Sequence, residues 1–231
     1  MGTRKEILYF GKPDRSNTDE MVELAVERMT DLKIHNAVIV YSSGYTMRKF
    51  LEVIKNNKLA LDNIVAVTND QKGKFERGDQ LVSIASISDE KREELEKEGV
   101  RVYYVPNWLN FGEPLALSDD QNLVRSKLAP FMIPQDLRPL DVDAGWDLSV
   151  FTIISQGFRV CLGCTVVAAK AKLIPEGELT LAIGGTATAL ILQASQDIKT
   201  CFVKEIIGFE RGSTWVERGI TDWEEDPSDN H

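Results

Sequence analysis

The chain has 231 residues, 43% of them hydrophobic, with a net charge of −9 and three cysteines. That length supports one α/β domain with a sizeable core and no need of disulfide staples, and so few cysteines suit a reducing compartment. The negative balance argues against nucleic acid, which demands a dense basic surface; with no membrane-length apolar run and no signal-peptide core in "MGTRKEILYF", a soluble cytoplasmic protein without membrane contact is expected.

"EILYF" reads as a strand, and the polar loop "GKPDRSNTDE" offers Asn17 or Thr18 as a helix cap. The helix that follows, "NTDEMVELAVERMTDLK", has Met21, Leu24, Ala25 and Met29 at helical spacing and acids in its first turn. In "AVIVYSSGYTMRKFLEVIKNN" a β-branched run suited to a strand buried on both faces breaks at two serines and a glycine. After Gly44, Met47, Phe50, Leu51 and Ile54 take up helical spacing. Such a junction exposes backbone N–H groups at the positive end of the helix dipole, glycine allows close approach, and the hydroxyls add donors, so Ser42-Ser43-Gly44-Tyr45-Thr46 is a candidate anion seat. The simpler reading of the same residues is that Ser43 or Thr46 caps the helix.

"NIVAVTND" is a second buried strand, followed by a basic-acidic loop and then "SDEKREELEKEG", a short charged helix stopped by Gly99. "VRVYYVPNWLNFGEP" supplies a third strand, ended by Pro106, and an aromatic-rich loop with Trp108 and Phe111. Residues 106–145 show prolines around one weak helical stretch, "SDDQNLVRSKLAPF". "WDLSVFTIISQGFRVCLGCTVVAAKAKLI" reads as a long buried helix interrupted near Gly157 and ended by Pro175 and Gly177. "GELTLAIGGTATALILQA" is a strand, a glycine break and a second apolar segment, and "CFVKEIIGFERG" one more strand. Residues 1–220 are read as a single α/β domain and 221–231 as a loose acidic tail.

Cys161 and Cys164 form a lone C-x-x-C on a helical stretch with no second ligand pair, and the only histidines are His35 and His231, so no metal site is expected. Strands alternating with helices imply a parallel sheet covered on both faces, whose ligands sit outside the strands' carboxyl ends. The polar breaks "YSSGYT", "TND", "PNWLNFG" and "IGGTAT" all follow strands and should share one edge.

The helix "NTDEMVELAVERM", the strand and turn "AVIVYSSGYT", the strand "NIVAVTND" and the unit "GELTLAIGGTATALIL" together resemble the C-terminal α/β domain of pyruvate kinase. The likeness to the stand-alone prokaryotic branch of that family extends through "SQGFRVCLGCTVVAAKAKLIPEG" to "KEII". The resemblance implies a three-layer α/β/α fold, a mostly parallel sheet with an antiparallel edge strand near Ile206, and self-association as a homo-oligomer. In pyruvate kinase the Ser/Thr-Ser-Gly turn holds a phosphate of the sugar bisphosphate activator, and a glycine-rich loop closes over it; Ser42, Ser43, Gly44 and Thr46 match the turn, and Gly184, Gly185 and Thr186 the loop. The stand-alone branch suggests FMN. The catalytic barrel has no counterpart in this length, so phosphoryl transfer from phosphoenolpyruvate is not implied. The loop is shortened to "GGTATA", and Asn69 and Asn107-Trp108 stand where the relatives carry histidine.

The leading expectation is thus a binder of a phosphorylated small molecule, FMN in a flavoprotein, held by Ser42, Ser43, Gly44, Tyr45, Thr46, Thr68, Asn69, Trp108, Gly184, Gly185 and Thr186, with Tyr41, Tyr45 and Trp108 as walls for the ring. The alternative is a non-catalytic, self-associating regulatory module that senses a sugar phosphate. A nucleotide-dependent enzyme is a distant third, because G-x-G-x-x-G and the phosphate-binding G-x-x-x-x-G-K-[ST] loop are both absent. No catalytic acid or base can be named.

Overall fold

The structure is a computed structural model that describes residues 6–11, 16–69, 74–77, 80–83, 87–105, 154–185 and 187–210. Trp108, Thr186, the stretch 106–145 and the tail 221–231 lie outside the described residues. In chain order the elements are β1 (Leu8–Phe10), α1 (Ser16–Asp31), β2 (Asn36–Val40), α2 (Tyr45–Asn56), β3 (Asn63–Asn69), β4 (Lys74–Arg77), β5 (Gln80–Ser83), α3 (Asp89–Lys97), β6 (Val100–Val105), α4 (Gln156–Lys170), β7 (Leu179–Gly184), β8 (Thr188–Gln193) and β9 (Phe202–Glu210).

A seven-stranded sheet in the order β1-β9-β8-β7-β2-β3-β6 carries the fold. Strands β7, β2, β3 and β6 are mutually parallel, in a register that sets Ile183 beside Ile39, Val40 beside Val67 and Thr68 beside Tyr104. Alternate residues of these strands face opposite layers. Ala37, Ile39, Ile64, Ala66, Leu181 and Ile183 pack with Met21 and Met29 of α1, Met47 and Phe50 of α2 and Leu95 of α3. Val38, Val65 and Val67 meet Cys164 and Ala168 of α4, and Ala182, Leu190 and Leu192 meet Cys161 and Leu162. The fold is therefore α/β/α. Its helices divide as right-handed crossovers require: α1, α2 and α3 on the face used while the chain moves from β1 through β2 and β3 to β6, and α4 on the other face as it returns to β7.

The antiparallel strand stands elsewhere than expected. Strand β8 is the one opposed to the rest, between β7 and β9, and β9, which holds Ile206, regains the common direction. The edge beyond β9 is β1, which pairs parallel with it from Leu8 beside Gly208 to Phe10 beside Glu210. The expected loop after β3 contains a two-stranded antiparallel hairpin, β4 with β5, in which Arg77 pairs with Gln80. The two residues between that pair in the sequence are Gly78-Asp79, a glycine-first hairpin signal that the loop reading does not weigh. Helix α4 starts at Gln156, next to the expected interruption at Gly157, with Ser155 accepting a hydrogen bond from Phe158 N at 3.0 Å as its cap, and residues 146–153 of the expected longer helix lie outside the described residues. Helix α1 begins at Ser16, ahead of both expected caps, and Asn17 instead donates to the buried Glu210 at 3.3 Å.

Two contacts hold these layers in particular ways. Arg28 of α1 reaches Glu205 of β9 with a two-pronged hydrogen bond, Nε to Oε1 at 2.8 Å and Nη2 to Oε2 at 3.0 Å, and its Nη1 meets Asp31 at 2.7 Å. The three cysteines are free and buried, with Cys161 against the carbonyls of Ala182 and Thr188. Burial pushes all three thiols up, Cys201 to about 11, against opposing hydrogen bonds at Cys161 and Cys201.

Arg28→Ala should lower the unfolding free energy by about 1 to 3 kcal/mol, read by urea denaturation, because Glu205 is left largely buried without its fork partner, and Arg28→Lys should restore only part of it. The thiols predict an alkaline limb. A thiol is neutral when protonated, so folded-state values above the ordinary 9.0 leave stability complete below that pH and erode it as pH rises, through about 11 for Cys201. Urea midpoints between pH 8 and 11 should fall, and Cys201→Ala should flatten the slope above pH 9 by up to about 1.4 kcal/mol per pH unit.

Candidate functional site

The parallel block sends the exits of β2, β3, β6 and β7 to one edge, and the candidate site is built there. At the end of β2 the ladder continues for one residue, Tyr41 N donating to Val67 O at 2.9 Å, and the chain then leaves the sheet through Ser42 and Ser43. Gly44 turns it into α2 with φ +81° and ψ −16°, the left-handed region that glycine adopts without steric cost. A Cβ on Gly44 would stand 2.7 Å from Tyr41 Oη, so the buried tyrosine forms the floor of the turn.

The N-cap of α2 is Gly44, and no side chain among the described residues caps the helix. Ser43 and Thr46 do not fill the role that the simpler reading gives them, and a helix start without a side-chain cap needs other partners for its leading N–H groups. The side chains of Ser42, Ser43 and Thr46 are half-buried, and their hydroxyls have no hydrogen-bond partner among the described residues. The helix start at the same edge on the other face is closed: Ser155 caps α4 and lies 3.5 Å from the hydroxyl of Thr188. Open donors, the positive end of a helix and adjacent free hydroxyls are together suited to an anion.

The other expected residues are placed as follows. Tyr45 donates through its hydroxyl to Asp19 of α1 at 2.7 Å and has Arg48 over its ring at 5.7 Å, so it ties α2 to α1. Thr68 is 1% exposed and its Oγ1 has no hydrogen-bond partner among the described residues. Asn69 ends β3 opposite Val105. Gly184 ends β7 one residue past the Ile39–Ile183 pair, which brings it level with Val40. Its lack of a side chain serves packing, since a Cβ there would meet Gly157 O at 2.6 Å where α4 starts. Gly185 is exposed in the turn between β7 and β8, with nothing within 4 Å of an added Cβ. That turn is closed by Ala187 at φ +45°, the left-handed position of a three-residue hairpin loop.

Sequence reasoning missed Tyr104, which pairs with Thr68 and whose hydroxyl is buried and without a partner among the described residues. "VRVYYV" marks it only as a strand aromatic; the unmet hydroxyl depends on neighbours in other strands. A groove of about 360 Å³ between α1 and α2, lined by Glu23, Glu27 and Asp31 among others, lies away from this edge and repels anions. Among the described residues no group of three or more His, Cys, Asp or Glu side chains is arranged to hold a metal ion, and no helix is long and apolar enough to cross a membrane.

No family model matches the chain. Among solved structures, a pyruvate kinase from Cryptosporidium parvum is similar at 14% identity and a TM-score of 0.38, over 80% of this chain. The chain spans 24% of the length of that pyruvate kinase. A likeness of that size carries no argument about the site, which rests on the geometry alone.

Gly44→Ala should destabilise the protein by about 1 to 3 kcal/mol in urea denaturation, from the left-handed backbone and the clash with Tyr41 together. Adding Tyr41→Phe should recover the part due to the hydroxyl contact. A Gly44 variant therefore reports on folding before it reports on any ligand.

Proposed function

We propose that the protein binds a phosphorylated small molecule at the carboxyl edge of the sheet, with the phosphate seated in the 42–46 turn. The observation that carries this reading is the start of α2, which among the described residues has no side-chain cap and stands beside two serine hydroxyls without partners. A phosphate dianion accepts hydrogen bonds on several oxygens and gains from the helix dipole, so it fits the donors present; the chain's net charge of −9 makes such local donors necessary for any anion.

FMN is the first ligand to test. Ser42, Ser43 and the leading N–H groups of α2 would hold its phosphate. When bound, the flavin would supply redox chemistry, and these residues would bind and orient it. The rival is a non-catalytic module that senses a sugar phosphate and self-associates. It is favoured by Phe202 and Val203, 53% and 37% exposed at the start of β9, where β1 pairs only with Gly208 to Glu210. A yellow purified protein with a flavin spectrum supports the first; a colourless one that is stabilised by a sugar phosphate and sediments as an oligomer supports the second.

Calorimetry with FMN and with a sugar phosphate tests the seat common to both readings. Ser43→Ala should weaken whichever ligand binds by about 1 to 3 kcal/mol while circular dichroism and ligand-free stability stay unchanged. Equal affinity in the wild type and in the Ser42→Ala/Ser43→Ala double variant would leave the turn no ligand role.

A further inference from the structure

The two ends of the parallel strands treat their polar side chains differently. At the amino ends, Asn36 Nδ2 donates to Leu179 O at 3.4 Å, Asn63 Nδ2 donates to Asn36 Oδ1 at 2.5 Å, and Arg101 donates to Asn63 Oδ1 and Leu173 O. That chain of bonds crosses β7, β2, β3 and β6 and is closed at both ends. At the carboxyl ends, a row of three hydroxyl side chains crosses β2, β3 and β6. The bond from Tyr41 N to Val67 O carries the β2–β3 register one residue on, which puts Tyr41 beside Thr68, and Thr68 pairs with Tyr104. Tyr41 stands beneath Gly44, whereas Thr68 Oγ1 and Tyr104 Oη are buried and without a partner among the described residues, on residues paired across β3 and β6.

A buried hydroxyl without a partner is costly and uncommon, so two on adjacent strands beside an open donor cluster call for an external partner. We propose that Thr68 and Tyr104 are specificity-determining contacts for the hydroxyl-bearing body of a phosphate monoester whose phosphate lies in the 42–46 turn. This rests on the phosphate seat proposed above. Strands are spaced 4.7 to 4.9 Å apart, so β2 to β6 is about 10 Å. Inorganic phosphate cannot cover that distance, but a phosphorylated chain of several carbons can. Each protein hydroxyl both donates and accepts, as does each hydroxyl of a polyol, so the row matches a polyol chain better than a purely apolar or purely anionic body.

Affinities for inorganic phosphate and for ribitol 5-phosphate, measured by calorimetry, test the assignment in the wild type, Thr68→Val and Tyr104→Phe. The control is Thr180→Val, which removes a third unbonded buried hydroxyl, at the amino end of β7. Each of the first two substitutions should weaken the ester by about 10-fold or more, leave inorganic phosphate unchanged, and leave ligand-free stability equal or higher. Thr180→Val should change neither affinity. Ester affinity indifferent to Thr68→Val and Tyr104→Phe overturns the proposal alone, because the hydroxyls then hold a buried water or nothing. An equal loss for ester and phosphate also overturns it, since the turn itself has then been disturbed. A wild type that binds neither probe overturns the phosphate seat and this assignment with it.

Discussion

Burial of the central strands on both faces is the constraint from which the rest of the molecule follows. Residues 37–39 of β2, 65–67 of β3 and 181–183 of β7 are at most 1% exposed, on whichever side they point. A sheet of this kind is unstable in water unless helices cover both faces. Parallel strands need a crossover between each pair, and the fixed hand of crossovers assigns α2 and α3 to one face and the returning α4 to the other. The same parallel order delivers every chain exit after β2, β3, β6 and β7 to a single edge. The candidate site is thus a by-product of how the core is sealed.

Two of the helix starts at that edge are finished in opposite ways. Helix α4 is closed by its own serine and set tightly on the end of β7, where the absence of a side chain at Gly184 lets the backbone of Gly157 come close. Helix α2 is left open, propped from below by Tyr41 and tied sideways to α1 by Tyr45. Rigid support around unsatisfied donors is the arrangement that binds a ligand with little reorganisation.

Much of this architecture is legible in the residues. Runs such as Ala37 to Val40 and Ile64 to Val67 announce strands buried on both sides, and the spacing of Met47, Phe50, Leu51 and Ile54 announces a helix covering them. Apolar pattern reports burial, however, and not pairing. Nothing in "TALILQ" or "FVKEIIGFE" reveals that β8 reverses direction or that β1 joins outside β9, because those partners lie far away in the chain. The start of α4 is hidden for a related reason: apolar residues flank Ser155 on both sides, so its role as a cap is lost in the hydrophobic run. At the site, the turn was visible from Ser42 to Thr46, and the lack of a cap within it was not, since that depends on where side chains point.

The pairing of β1 with β9 bears on how the chain is made. Phe10 finds its partner at Glu210, 200 positions later, and the link from Arg28 to Glu205 spans 177. At synthesis rates of about 5 to 20 residues per second, the first strand waits on the order of 10 to 40 seconds before its neighbour exists. Over that interval β2, α2, β3 and β6 can assemble from contacts close in sequence, while β1 has no strand to pair with and α1 lacks its contacts with β7, β8 and β9. During synthesis β1 is therefore open to mispairing and to chaperones until β9 arrives to pair with it.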